Sequence, residues 1–321
     1  MARIGNVDKD FAPLGLGCSI FDPTLWTAER EQQLLDTMDT ALQGGLNHFD
    51  TASGYGGGAS ERLIGRFLAK NERRQRVFLV SKADIRGSNA AEMRQNMLTS
   101  VQASLERLQT DFIEMYYIHW PRTGIDLRPA MEGLETARQQ GLIGAVGVSN
   151  FNVAQLEQVS QVARVDALQI PYNLFWRFAE HDVIPYCRKR KIAVVSYGSA
   201  AMGILTGKFE RQLKLAPGDQ RNTIVFYKEP AWSTIYQAVE EMKVLAQQAG
   251  RPLIHLAARW TVAQPGLVCA LVGANNPQQA AENADALAGE IDPAILARMT
   301  EISDAVMPHV PALVNPYAYQ P

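Results

Sequence analysis

Eight short runs of β-branched or apolar residues recur along the chain with longer amphipathic stretches between them. This alternation constrains the fold more than any other feature. The runs are Leu14 to Gly17, Leu46 to Asp50, Val77 to Lys82, Phe112 to His119, Ile143 to Ser149, Ala167 to Ile170, Ile192 to Tyr197 and Leu267 to Val272. Helical periodicity fills Glu29 to Gln43, Ala91 to Leu108, Arg128 to Gln140, Val153 to Val162 and Asp182 to Lys191. Apolar runs of strand length alternating with helices build βα units around a parallel sheet, and eight such units close a barrel. Strand starts fall about every 24 to 35 positions up to the seventh run, the size of one βα unit of roughly 30 residues. The next interval is much longer. About seventy residues separate Tyr197 from Leu267, with a polar segment at Pro217, Gly218 and Asp219 and helical patterns at Ser233 to Ala249 and Pro252 to Ala263. A connection of that length is usually a lid or a binding segment, so a cofactor or substrate clasp is expected here. Residues 1–321 therefore read as a single-domain α/β chain, a (β/α)8 TIM barrel with a long loop after strand 7 and a C-terminal tail from Pro308 to Pro321.

Charge narrows the partners. With 31 Lys plus Arg against 33 Asp plus Glu the net charge is −2, which leaves no excess to neutralise phosphates or an anionic bilayer. Nucleic acid and membrane are not expected partners; a small molecule is. Oligomeric state is not legible. The three cysteines, Cys18, Cys187 and Cys269, show no metal-ligand or redox spacing, and Met1 to Asp10 lacks the apolar core of a signal peptide. A cytoplasmic protein is expected.

Three familiar glycine patterns fail on inspection. Gly15-Leu16-Gly17-Cys18-Ser19-Ile20 lacks the third glycine of a dinucleotide fingerprint. Gly203 to Phe209 is one residue short of a phosphate loop and has no Ser or Thr after Lys208. Gly147-Val148-Ser149-Asn150-Phe151 carries Phe where a nucleophile elbow needs glycine. The basic clusters at Glu72 to Arg76 and Arg188 to Lys191 sit at helix ends before strands, where cations complement the helix dipole and stay solvated.

In a βα barrel the reactive groups stand where the strands finish. Asp50 closes the second run, Tyr55 follows it, Lys82 closes the third, and His119 closes the fourth beside Trp120. Singly, each has an ordinary reading as a solvated tip or a hydrogen-bonded core residue. Together they form a proton-transfer device. A tyrosine with a reference pKa of about 10 is a poor acid near neutrality unless a cation is held against it. Lys82 supplies the cation, Asp50 keeps it charged and placed, and His119 offers a hydrogen bond to a substrate oxygen. Such a set suits protonation of a developing alkoxide, the step that accompanies carbonyl reduction by hydride.

Over nearly its whole length the chain resembles the aldo-keto reductases. Phe49-Asp50-Thr51-Ala52 with Tyr55-Gly56 and Ser60-Glu61 is similar to that family's aspartate and tyrosine motif, Val80-Ser81-Lys82 to its lysine motif, and Asp111 to His119 to its histidine strand. Gly147 to Phe151 and Gln169-Ile170-Pro171-Tyr172-Asn173 resemble the ends of its fifth and sixth strands. The resemblance implies a catalytic tetrad of Asp50, Tyr55, Lys82 and His119, with Tyr55 as general acid or base. It also implies a nicotinamide cofactor lying across the barrel mouth without a Rossmann fold. On that likeness Asp50, Ser149, Asn150 and Gln169 face the carboxamide end and Tyr197 stacks on the ring. Gly198, Ser199, Ala200, Gly203, Leu205 and Lys208 follow the pyrophosphate. Gly273, Asn275, Gln279, Glu282 and Asn283 take the adenosine end.

Two departures from the family pattern bear on the cofactor. Tyr197-Gly198-Ser199-Ala200-Ala201-Met202-Gly203 replaces the common Tyr-Ser-Pro-Leu-Gly-Gln-Gly, so a different backbone path is expected there. Positions that often carry Lys or Arg for the 2′-phosphate of NADP are Gly273, Asn275 and Gln279, and an amide cannot match the bidentate grip of a guanidinium. Arg221 in the long loop resembles a family arginine that reaches the same end. NADP(H) is the expected cofactor, and NAD(H) or dual use stays open.

Aromatic walls for a substrate are expected from Trp26, Tyr55, Trp120 and Trp176, with His119 among them. No basic cluster at the strand ends calls for a phosphorylated or carboxylated substrate, so aldehyde, ketone or sugar-like carbonyls, or the matching alcohols, are the class implied. A regulatory role is the alternative, because the beta subunits of voltage-gated potassium channels resemble this branch and bind cofactor in the service of a partner. A barrel hydrolase working without nicotinamide is the third reading.

Overall fold

The computed structural model describes residues 2–19, 27–70 and 72–319. Eight parallel strands close into a barrel in chain order: β1 (Leu14–Gly17), β2 (His48–Asp50), β3 (Phe78–Ala83), β4 (Ile113–Ile118), β5 (Ile143–Ser149), β6 (Ala167–Pro171), β7 (Ala193–Tyr197) and β8 (Leu267–Val272). Closure is made by β1 against β8, where Leu14 pairs with Ala270 and Leu16 with Val272. Helices alternate with the strands, as the apolar periodicity predicts. All eight strands named from sequence are present, with ends moved by a residue or two. Four further helices among the described residues, Ala59–Leu68, Arg73–Arg76, Pro277–Asp285 and Pro293–Val306, lie outside the stretches named from periodicity.

Strand parity decides what points inward, because successive side chains on a strand face opposite sides. Phe78 and Val80 on β3, Met115 and Tyr117 on β4, Ala145 on β5, Ala167 on β6, Val195 on β7 and Cys269 and Leu271 on β8 fill the interior. The intervening residues, such as Leu79, Tyr116, Val146 and Leu168, pack against the helices. Counting two residues up from each interior position reaches Lys82, His119 and Gln169, and the same parity on β5 leads through Gly147 to Ser149. Gly147 is required by this packing: a Cβ there would lie 2.3 Å from the Met115 methyl and 2.6 Å from the Tyr117 ring. The glycine in the sequence that resembles a nucleophile elbow thus makes room for interior side chains.

The N-terminal segment plugs the barrel floor, with Ala2 and Phe11 paired in an antiparallel bridge and Ile4, Val7 and Phe11 buried. Just above it Glu114, 2 % exposed, accepts hydrogen bonds from Arg74 at 2.8 and 2.9 Å, from Lys9, and from the Leu79 amide at 3.0 Å. Arg73 stacks over Phe67 at 4.3 Å. The Glu72 to Arg76 cluster is therefore not simply a solvated helix end; Arg74 neutralises a buried carboxylate. Arg188 to Lys191 is exposed, as expected.

His48 occupies the same floor layer. It is fully buried, lies 5.1 Å from the Phe11 ring and 5.4 Å from the Phe78 ring, and neither of its nitrogens has a hydrogen-bond partner among the described residues. Burial lowers its pKa from the usual 6.5 to about 4. The folded state therefore favours the neutral ring. Its contribution is complete above pH 6.5 and is lost as pH falls toward 4, about 3 kcal/mol at most. Denaturant unfolding at pH 7 and pH 4.5 checks this: His48→Leu should lose distinctly less stability on acidification than the unsubstituted protein. Equal losses would contradict it.

Candidate active site

β2 and β3 bring the first groups together. Lys82 is fully buried, and its Nζ donates to Asp50 Oδ1 at 2.5 Å and to the Thr51 carbonyl at 2.9 Å. The other Asp50 oxygen accepts from Gln169 Nε2 at 2.7 Å. Although burial opposes its charge, Asp50 and Tyr55 hold the Lys82 ammonium above its usual pKa, so it is a fixed cation at neutral pH.

Tyr55 reaches this cation through an unusual turn. Gly56, Gly57 and Gly58 all have positive φ (57°, 59° and 85°), which carries the chain from Tyr55 into the helix Ala59–Leu68. That helix is pinned in turn. Fully buried Glu61 accepts from Ser81 Oγ at 2.6 Å and from Arg107 Nε at 2.5 Å, while Ser60 bonds Thr51 at 2.8 Å and the Cys18 carbonyl at 3.2 Å. The Lys82 Nζ lies 5.2 Å from the centre of the Tyr55 ring. Burial raises the Tyr55 pKa, while Lys82 acts to lower it, and burial prevails. The phenol is thus protonated at neutrality, the state required of an acid, beside the cation that stabilises its conjugate base.

His119 stands edge-on to Tyr55, with ring centroids 5.7 Å apart, and its Nδ1 lies 3.3 Å from Asp84 Oδ1. Asn150 sits next to it with φ 65°, a strained conformation for a residue with a Cβ but one Asn tolerates. Its amide donates to the His119 carbonyl at 3.2 Å and to Ser149 Oγ at 3.0 Å, and accepts from the Tyr197 hydroxyl at 2.8 Å. The structure therefore gathers Asp50, Tyr55, Lys82, His119, Ser149, Asn150, Gln169 and Tyr197 at the C-terminal mouth of the barrel.

After Tyr197 the chain enters the long loop between β7 and β8. Gly198, Ala201, Met202 and Gly203 all have positive φ (66°, 48°, 57° and 102°), a backbone path distinct from a regular turn. A right-handed residue followed by a left-handed one, as at Ala200 (φ −83°) and Ala201, is the conformation of backbone anion-binding concavities. Ser199 and Leu205 are buried beneath this stretch, Ala200 is partly exposed at its start, and Lys208 is partly exposed at its end. Arg221 lies farther along, bound to Asp219 by contacts of 2.5 to 3.1 Å and stacked 5.3 Å over Phe209. Beyond β8, Asn283 donates to the Gly273 carbonyl at 3.0 Å, Gln279 accepts from the Asn275 amide at 2.8 Å, and Glu282 is exposed. Amide, hydroxyl, backbone and guanidinium groups of the kinds that could hold a dinucleotide thus stand after β7, in the long loop and beyond β8.

Several neighbours of this site escape sequence reasoning. Arg30, on the helix Ala28–Gln43, donates to the Asn275 carbonyl at 2.7 Å and brings a guanidinium to the end where Gly273, Asn275 and Gln279 supply none. The C-terminal tail folds back over the mouth: the Val225 amide donates to the Pro316 carbonyl at 3.0 Å, the Tyr317 ring lies nearly parallel to Tyr197 with centroids 6.5 Å apart, and Tyr319 meets Trp120 edge to face at 4.9 Å. Trp120 is thus a wall of the mouth. Trp176 is 3 % exposed and packed between Phe178 and Phe226. Trp26 falls outside the described residues. No helix among them is long and apolar enough to cross a membrane.

Comparison with known proteins matches this arrangement. The family model described as aldo/keto reductase family matches residues 13–304. The aldo-keto reductase YhdN of Bacillus subtilis is 35% identical over 281 residues, covering 86% of this chain and 85% of that one. The NADH-specific methylglyoxal reductase of Escherichia coli is 29% identical, covering 94% of this chain and 98% of its own. Among solved structures, the glycerol dehydrogenase AKR11B4 from Gluconobacter oxydans superposes with a TM-score of 0.85 at 29% identity over 96% of both chains.

Proposed function

The chain belongs to the aldo/keto reductase family, and from that premise and the geometry of its barrel mouth we propose that it is an NAD(P)H-dependent oxidoreductase that reduces aldehyde or ketone carbonyls, sugar-like ones included, to alcohols. The observation that carries the reading is the buried Lys82 cation, fixed by Asp50 against the ring of Tyr55. A nicotinamide, when bound, supplies the hydride. The chain's residues do the rest. Tyr55 delivers the proton to the carbonyl oxygen as it becomes an alkoxide, and Lys82 stabilises the phenolate that remains. His119 holds that oxygen toward Tyr55. Ser149, Asn150 and Gln169 orient the carboxamide, with Tyr197 as the stacking face. Trp120, joined by the tail residues Tyr317 and Tyr319, excludes water from the reacting carbon.

Gly198 to Gly203, Leu205 and Lys208 would line the pyrophosphate, and Gly273, Asn275, Gln279, Glu282 and Asn283 the adenosine. Arg30 provides a guanidinium at that end, and Arg221 matches the long-loop arginine of the family resemblance, which supports NADPH as the preferred donor. The NADH specificity of the Escherichia coli relative keeps NADH in view. The test is fluorescence titration with NADPH and NADH side by side, followed by multi-turnover assays over a panel of aldehydes. We expect quenching by both, tighter with NADPH, and steady oxidation of cofactor with at least one aldehyde. Binding without consumption would assign the chain the regulatory role instead.

A further inference from the structure

We propose that Asp84 is a positioning residue for the reaction, a carboxylate that determines which nitrogen of His119 faces the barrel mouth. The inference rests on the reading of His119 as the group that steers the substrate oxygen. Strand geometry sets up the pair. β3 and β4 are in parallel register with Ala83 opposite Ile118, and the ladder continues one bond farther, from the His119 amide to the Ala83 carbonyl at 2.9 Å. Asp84 and His119 are therefore lateral neighbours just above the last register pair. Both continue the inward parity of their strands, Asp84 two residues beyond Lys82 and His119 two beyond Tyr117. The result is the 3.3 Å approach of Nδ1 to the Asp84 carboxylate. A hydrogen bond from His119 holds the Asp84 carboxyl below its usual pKa, with burial opposing and the charges of His119 and Arg86 assisting.

An imidazole needs such a partner here. Its outer torsion is roughly two-fold, and a half-turn exchanges ring nitrogens for carbons at little intrinsic energy. Trp120, tilted 6.0 Å away, and Tyr55, edge-on, confine the ring plane but supply no group that selects between the two orientations. The Asp84 carboxylate accepts only, so it fixes a proton on Nδ1 and leaves Nε2 for the substrate. Nε2 then accepts from an alcohol hydroxyl when the ring is neutral. It donates to a carbonyl oxygen when the ring carries both protons, with Asp84 as the counterion. The Asp84 side chain is 51% exposed, so it is not a packing element and its removal leaves no cavity.

The experiment uses the full chain and three variants, Asp84→Ala, Asp84→Glu and the double variant Asp84→Ala/His119→Gln, alongside His119→Gln. With NADPH and an aldehyde that the unsubstituted protein reduces, Asp84→Ala should lower kcat about ten- to a hundred-fold, leaving NADPH affinity unchanged, and Asp84→Glu should restore part of the loss. In the His119→Gln background, Asp84→Ala should have no further effect, because its only route to the reaction is removed. Nitrogen-15 NMR of labelled histidine should show a proton on His119 Nδ1 in the unsubstituted protein, with a second on Nε2 whenever the ring is charged, and an Nδ1 that is partly unprotonated after Asp84→Ala. That spectrum decides the assignment independently of turnover. A fully active Asp84→Ala, losses that add in the double variant, or an unchanged tautomer would overturn the proposal. A chain that turns over no aldehyde but shows the expected tautomer change would instead contradict the proposed reaction.

Discussion

Tyr55→Phe should lower carbonyl reduction by about 10³-fold while NADPH still quenches the protein fluorescence with nearly unchanged affinity. The substitution keeps the ring that stands edge-on to His119 and over the Lys82 ammonium, and it removes only the hydroxyl. Burial keeps that hydroxyl protonated at neutral pH, so the resting site holds an acid. Its conjugate base is formed only when the proton leaves, and at that moment the Lys82 cation is already in place and needs no rearrangement. Such preorganised charge is where catalysis of this kind gains most. Because the ring and its packing are retained, the folded state should change by no more than about 1 kcal/mol. Steady-state kinetics and the titration together check the prediction. A variant with near-wild-type turnover would remove Tyr55 as the proton donor.

Lys82→Met should both abolish turnover and destabilise the fold by about 3–5 kcal/mol. Lys82 is fully buried and Asp50 is 3 % exposed; without the ammonium, Asp50 keeps Gln169 as its side-chain donor and no opposing charge. An uncompensated buried carboxylate is what makes breaking such a pair harmful. The cause is testable by adding Asp50→Asn to the variant. Removing both charges should recover much of the stability, measured by denaturant unfolding, and none of the activity. If Lys82→Met proves as stable as the unsubstituted protein, the pair is not the buried, mutually dependent unit described above.

Strand positions and the gathering of Asp50, Tyr55, Lys82 and His119 at the barrel mouth were legible because both depend on local patterns. A βα period places strand ends, and parity on β3 and β4 then sends Lys82 and His119 to the same interior as Val80 and Tyr117. The same counting from Lys82 reaches Asp84, a signal that sequence inspection contained and did not use. Other features depend on contacts that no local pattern encodes. Arg74 meets Glu114 forty residues away, which turns a basic cluster into a buried ion pair. Arg30 reaches Asn275 across the seam where β1 closes on β8, so the basic group absent from Gly273, Asn275 and Gln279 is supplied by a different helix. The tail, read only as rich in Pro and Tyr, places Tyr319 against Trp120 because the closed barrel brings residue 319 beside residue 120. The helix Ala59–Leu68 was hidden by the three glycines before it and by Ser60 and Glu61, polar residues whose burial depends on Cys18 and Thr51 just past β1 and β2, on Ser81 in β3 and on Arg107.

The central claim is that hydride and proton meet a carbonyl at the mouth of this barrel. It is tested most directly by supplying NADPH deuterated at the reactive ring carbon with an aldehyde and analysing the product by mass spectrometry. The account predicts one deuterium on the carbinol carbon for each cofactor oxidised by the unsubstituted protein, and almost none formed by Tyr55→Phe. Cofactor that binds and remains reduced in the presence of every aldehyde, or alcohol formed without deuterium, would contradict it.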